Sequence, residues 1–171
     1  MGVGEYGADR SDCAIVECVT GRKLTPRGEE RRRQLIEHAT RLFAENGYHP
    51  TSVTEIVHSV GVGKGSFYWY FEGKEQLLLG ILQEAQHDLR RAQQQAIGDE
   101  TDTVKRIELG IRASLRWSAE HHDVNILIQF ASTDARFTPA LRRGEETAVS
   151  DIMRHVRDGI DAREIRDGDP E

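Results

Sequence analysis

The chain has 171 residues and a mass of 19.3 kDa, with 23 Lys and Arg against 29 Asp and Glu, a formal net charge of -6. That length suits one domain or a small domain joined to a medium one, and the acidic balance excludes a uniformly basic nucleic-acid coat. Two cysteines exclude a disulfide framework and a four-cysteine zinc site, and no apolar run approaches the ~20 residues of a membrane span. With no basic-then-apolar leader at the start, the expectation is a soluble, cytoplasmic protein with no membrane partner.

Residues 1–24 mix Gly, acids and a short apolar patch around Ala14-Ile15-Val16, and are expected to form a disordered tail. Cys13 and Cys18 lie in it with no further Cys or His beside them, so no metal or redox site is expected there. Charge then changes character. Residues 22–74 hold nine basic and six acidic side chains, whereas the stretches before and after are acidic. A modestly basic module in an acidic chain suggests one face for a polyanion.

A first helix is predicted from Thr25, a suitable N-cap, followed by Pro26 at the first helical position. Leu35, Ile36, Ala39, Leu42 and Phe43 form its apolar face, and Asn46-Gly47 ends it. After Pro50, Ser52 and Glu55 form a capping box for a second helix whose buried face is Val53, Ile56, Val57 and Val60. Gly61 stops it. A third, short helix opens at Gly63-Lys64-Gly65-Ser66 and runs through Phe71, with Phe67 and Phe71 facing inward. Two helices joined by a short turn containing Gly spell a helix-turn-helix. Lys64, Ser66, Tyr68, Trp69 and Tyr70 put donors and aromatic bodies on its last element.

From Arg31 to Leu82, and most specifically in GVGKGSFYWYFEGKEQLL from Gly61 to Leu78, the sequence resembles the DNA-binding domain of the TetR family of bacterial transcriptional repressors. The resemblance implies an all-α fold: an N-terminal three-helix helix-turn-helix domain joined by a long helix to a helical-bundle regulatory domain. It implies that the third helix enters the major groove. Lys64, Gly65 and Ser66 would stand at its leading end, and Tyr68, Trp69 and Tyr70 at exposed positions that touch phosphates and thymine methyls. By the same resemblance, Thr51 and Ser52 hold the DNA backbone from the second helix, Lys74 contacts a phosphate, and Arg31 and Arg32 act as backbone clamps. The chain departs from the family pattern at Val57 and Val60, where Ala is common, at Gly63 in place of a Ser or Thr cap, and at Tyr70 in place of His.

A long helix is predicted from Lys74 to about Ala96, with Leu77, Leu78, Ile81, Leu82, Ala85 and Leu89 on one side and a polar, solvated far end over Asp88–Gln95. A fifth helix follows from about Asp102, with Val104, Ile107, Ile111, Leu115 and Trp117 on its apolar side. Val124–Ala131 is more hydrophobic all round and is expected to be central, and a last helix runs from about Pro139 to Asp161 on Leu141, Val149, Ile152, Met153, Val156 and Ile160. Ligand sites in such bundles lie between helices, and Trp117, His121, Asn125, Phe130 and Met153 are the candidate lining of a small-molecule pocket. His121 and His122 are adjacent and diverge by about 100° on a helix, so they do not read as a metal pair.

The domain reading is a tail over 1–24, a helix-turn-helix domain over 25–73 and a helical ligand-binding and dimerisation domain over 74–171. Arg163–Glu171 resembles the linker that precedes the family's last two, dimer-forming helices, so the regulatory domain is expected to be C-terminally incomplete and apolar helix faces to be exposed. The functional expectation is a ligand-released homodimeric repressor of a palindromic operator, the alternative being a fragment that does not dimerise. No cofactor is expected. No nucleophile–base arrangement, phosphate loop or carboxylate pair suggests an enzyme.

Overall fold

A computed structural model describes residues 24–165. The expectations for the tail, for Cys13 and Cys18, and for the end of the chain beyond residue 165 lie outside the described residues. Among the described residues the fold is all helical: α1 (Pro26–Asn46), α2 (Val53–Val60), α3 (Lys64–Tyr70), α4 (Lys74–Ile97), α5 (Thr103–Glu120), α6 (His122–Ser132) and α7 (Thr138–Asp161). No described helix is long and apolar enough to cross a membrane.

The local signals act as the residue chemistry requires. Thr25 accepts the Gly28 N–H at 3.2 Å. Ser52 accepts the Glu55 N–H at 3.2 Å while the Glu55 carboxylate takes the Ser52 N–H at 2.6 Å, a complete capping box. That pair of bonds holds the Glu55 carboxyl below its ordinary range. Gly61 closes α2 with φ +72°, a left-handed conformation that a side chain resists.

Helices α1, α2 and α3 enclose Leu35, Ile36, Ala39, Phe43, Ile56, Val57 and Phe67, and the same apolar cluster continues through Leu77, Leu78, Ile81 and Leu82 of α4 into Leu127 and Ala131 of α6 and Phe137. The three N-terminal helices and the start of the bundle therefore share one core, with α6 packed on α1. Beyond it α4, α5 and α7 pack against one another.

The faces of α5 and α7 correct the sequence reading. Val104, Ile111 and Leu115 are exposed and Thr103, Gly110 and Ala113 face inward instead, while Trp117 is buried as expected. Gly110 and Ala113 are small, so the helix can approach its neighbours closely. On α7, Val149, Ile152 and Met153 are exposed while Ala140 and Gly159 are buried. The far end of α4 is corrected too. Gln93 donates to Ser114 Oγ at 2.8 Å and Arg90 pairs with Asp151 at 3.1 Å, so this polar segment is a contact surface for α5 and α7.

Candidate nucleic-acid interface and ligand cavity

Helix α3 divides its side chains by spacing. Phe67 and Tyr70, three apart, and Phe71, the residue that ends the helix, turn into the core. Lys64 and Gly65 face outward with Tyr68 and Trp69, whose exposures are 56% and 44%. The exposed aromatics are anchored from behind: the Tyr68 ring meets Phe67 edge-on at 5.3 Å, and Trp69 meets Tyr70 at 4.7 Å. Tyr70 itself is only 8% exposed, which corrects its placement among the groove-facing residues. Its position three residues after the inward-facing Phe67 is the physical reason.

A shallow depression beside α3 is lined by Thr25, Arg27, Arg31, Ser66, Trp69 and Tyr70. It brings the start of α1 against the outer face of α3. Arg31 reaches Gln34 at 3.1 Å and stays at this rim. Arg27 was missed in the sequence reading. Its place one residue after the helix-starting Pro26, one turn before Arg31 on the same face, was the available signal. Ser52 is exposed at the start of α2 and accepts one N–H, which leaves its O–H to donate outward.

Three other predicted contacts are engaged elsewhere. Thr51 is 2% exposed, and its hydroxyl faces the carbonyl oxygens of Gly47 at 2.8 Å and Leu42 at 3.3 Å, bracing the α1–α2 turn. Lys74 donates to the carbonyl oxygens of Tyr48 at 2.7 Å, His49 at 3.0 Å and Thr51 at 2.8 Å. An ammonium has three N–H bonds, so none remains for a phosphate. Burial and the nearby Arg136 cation push the Lys74 amine below its ordinary value. Arg32 pairs with Glu84 of α4 and lies 5.5 Å from the Phe71 ring centre, so it staples α1 to α4. These placements correct the reading of Thr51, Lys74 and Arg32 as surface clamps, for a common reason: each side chain satisfies groups at a joint of the fold.

The predicted pocket residues do not converge, and this too is a correction. Trp117 is buried and stacks on His121 at 4.2 Å, while His121 Nδ1 donates to the Trp117 carbonyl oxygen at 2.7 Å. Asn125 donates to the Ser118 carbonyl oxygen at 2.6 Å. Phe130 stacks on Tyr48 at 5.0 Å, in the joint between α6 and the reading head. Met153 is exposed. A cavity of about 160 Å³ lies instead between α4, α5 and α7, and none of the five lines it. Its apolar side is Ile97, Ile107, Ile111 and Ile152, and its polar side includes Arg90, Arg106, Asp151, Arg154 and His155. Burial, then the Arg106 and Arg154 cations, push the His155 imidazole below its ordinary value. Among the described residues no group of three His, Cys, Asp or Glu side chains could hold a metal ion.

Residues 35–81 match the model of the bacterial regulatory proteins of the tetR family. A fatty acid metabolism regulator protein of Bacillus subtilis is 26% identical over 80% of this chain and 69% of its own. The transcriptional activator FasR of Mycolicibacterium smegmatis is 34% identical over 50% of this chain and 39% of its own, so the chain spans well under half of that relative. Among solved structures, a protein of Syntrophomonas wolfei described as a TetR-family transcriptional regulator superposes with a TM-score of 0.73 at 25% identity, covering 82% of this chain and 74% of that one. FadR of Bacillus subtilis, solved in complex with stearoyl-CoA, gives 0.71 at 24% identity over 81% and 75%.

Proposed function

This chain belongs to the TetR family of bacterial regulatory proteins, and from that premise we propose that it is a repressor that binds a palindromic operator as a homodimer and releases it when a small molecule enters the α4–α5–α7 cavity. Residues 25–73 act as the reading head and residues 74–171 as the sensing and dimer-forming part. The observation that carries the reading is the two-sided α3: Tyr68 and Trp69 stand exposed with Lys64 and Gly65, and Phe67, Tyr70 and Phe71 lock the helix from behind. Such a helix presents aromatic and cationic groups to a groove at fixed orientation. Arg27, Arg31 and Ser52 flank it and, with Ser66 in its first turn, serve phosphates. Two heads at fixed spacing are needed because one short helix offers few base contacts. Val104 and Leu115 of α5 and Val149 and Met153 of α7, exposed and outside the cavity lining, support association, since exposed apolar surface favours burial.

Selection of binders from random double-stranded DNA, at two salt concentrations, tests this. An enriched inverted repeat is the expected result, and its spacing reports the distance between two heads. A single enriched half-site keeps the reading head and overturns the dimer. No enrichment from folded protein at low salt overturns DNA reading altogether.

A further inference from the structure

Four buried side-chain nitrogens lack a hydrogen-bond partner among the described residues, and three of them, Arg90 Nε, Arg106 Nε and His155 Nδ1, belong to residues that line the α4–α5–α7 cavity. Buried polar atoms without partners are costly, and their concentration at one cavity marks the place where a partner is missing. The charges there are also out of balance. Three guanidiniums, Arg90, Arg106 and Arg154, border the cavity, whereas Asp151 is its one lining carboxylate. Asp151 is shared by Arg90 at 3.1 Å and Arg154 at 2.5 Å. Arg106 has only Asp158, at 3.9 Å, the outer limit of an ion pair. The apolar lining is mostly isoleucine, and the lining contains no Phe, Tyr or Trp. A cationic ligand would therefore find neither aromatic faces nor a free carboxylate.

We propose that this cavity takes an amphipathic anion, a carboxylic acid with an apolar body, whose carboxylate lies on Arg90 and Arg106 and whose body lies on the isoleucine lining. This rests on the reading of the cavity as the ligand site. A carboxylate offers the acceptors that the unpartnered Nε–H groups need, and guanidinium–carboxylate bonds are charge-assisted and geometrically selective. His155, whose buried Nδ1 is also unpartnered, can donate a further bond. Asp151 already occupies Arg90 in the way an incoming carboxylate would, so the ligand competes with it. Arg90 is on α4 and Asp151 on α7, and the exchange removes an inter-helix link beside the helix that leads to the reading head.

Matched pairs of probes that differ only in charge test the class: octanoate against 1-octanol, and 4-butylbenzoate against 4-butylbenzyl alcohol, titrated by calorimetry into the full chain. At least one acid is expected to bind at least tenfold more tightly than its alcohol. Arg90→Gln and Arg106→Gln should each erase that preference while leaving alcohol binding, and Asp151→Asn should enlarge it. Ile111→Trp, which fills the apolar side, should block all four probes. Equal binding of acid and alcohol in both pairs, blocked by Ile111→Trp, overturns the anionic class and keeps the site. Binding that Ile111→Trp leaves intact, or no binding by any probe to folded protein, overturns the site itself.

Discussion

Trp69 and Tyr70 are neighbours in the chain and opposite in role. Trp69 is exposed on α3, and Tyr70 is packed beneath it. Trp69→Ala and Tyr68→Ala should each weaken operator binding by at least about tenfold, the scale of a lost base-proximal contact at about 1–3 kcal/mol, with the helical circular-dichroism spectrum intact. Tyr70→Ala should instead lower thermal stability, by the several kcal/mol that large-to-small changes in a core cost, about 3–5 for an aromatic. Full operator binding by both surface variants would sink the assignment of α3. The sequence reading placed Tyr70 with the groove-facing residues, although its position three residues after the inward-facing Phe67 carried the signal for burial. What the pattern could not show was Lys74 and Thr51, whose partners are backbone carbonyls that only the folded turn assembles.

A second prediction at the same scale concerns acid stability. Asp134 accepts from Arg136 Nε at 3.0 Å, from Nη2 at 2.6 Å and from the Arg136 backbone N–H at 3.1 Å. These bonds lower its carboxyl from 3.8 to about 2. A carboxyl depressed in the folded state stabilises it fully above the ordinary value, and that contribution fades as pH falls from about 4 to about 2. Arg136 also lies 5.7 Å from the Tyr48 ring centre and 5.2 Å from that of Phe137, so the ion pair holds the loop before α7 against the reading head. Asp134→Asn should lower the urea midpoint at pH 5 and flatten its decline between pH 4 and pH 2. Parallel curves for the two proteins would show that Asp134 titrates alike folded and unfolded.

At the scale of elements, existence and ends were largely legible, and the buried face was legible only in part. Pro26, the Ser52–Glu55 box and Gly61 fix their helix ends by local hydrogen bonds and backbone preference, which travel with the sequence. The face of α5 depends on its neighbours. Apolar side chains occupy more of its circumference than one core needs, so periodicity picked the Val104–Ile111–Leu115 stripe, whereas packing chose Gly110 and Ala113. Small residues that permit close approach carry little hydrophobic signal. The cavity was missed because its isoleucines read as ordinary apolar faces, while the rest of its lining is the polar end of α4 and charged side chains of α5 and α7. Gly110 supplies the test. A Cβ there would meet Ile97 Cδ1 at 3.6 Å, an ordinary contact. Gly110→Ala should therefore stabilise the protein by about 0.5–1 kcal/mol through helix propensity, read as a higher thermal midpoint. A lowered midpoint would mean that α4 and α5 approach more closely than this contact implies.

Across the whole molecule, charge is divided along the chain. The segment that holds the reading head is basic, the rest is acidic, and the net charge is -6. An acidic body repels DNA except where the basic face meets it, so orientation is selected before contact. Among the described residues, the cations that the proposed interface leaves for phosphates are Arg27, Arg31 and Lys64 in each head, because Arg32 is paired with Glu84 and Lys74 is spent on backbone carbonyls. The two heads of the proposed dimer would then displace about six counterions, and raising salt from 50 to 200 mM should weaken binding by about a thousandfold. Lys64→Gln is the discriminating variant. In a dimer it removes two phosphate contacts and should flatten the slope of log affinity against log salt by about 1.8, but by only about 0.9 if one head binds alone. An unchanged slope would remove Lys64 from the interface, and with it the leading end of α3 as a contact surface.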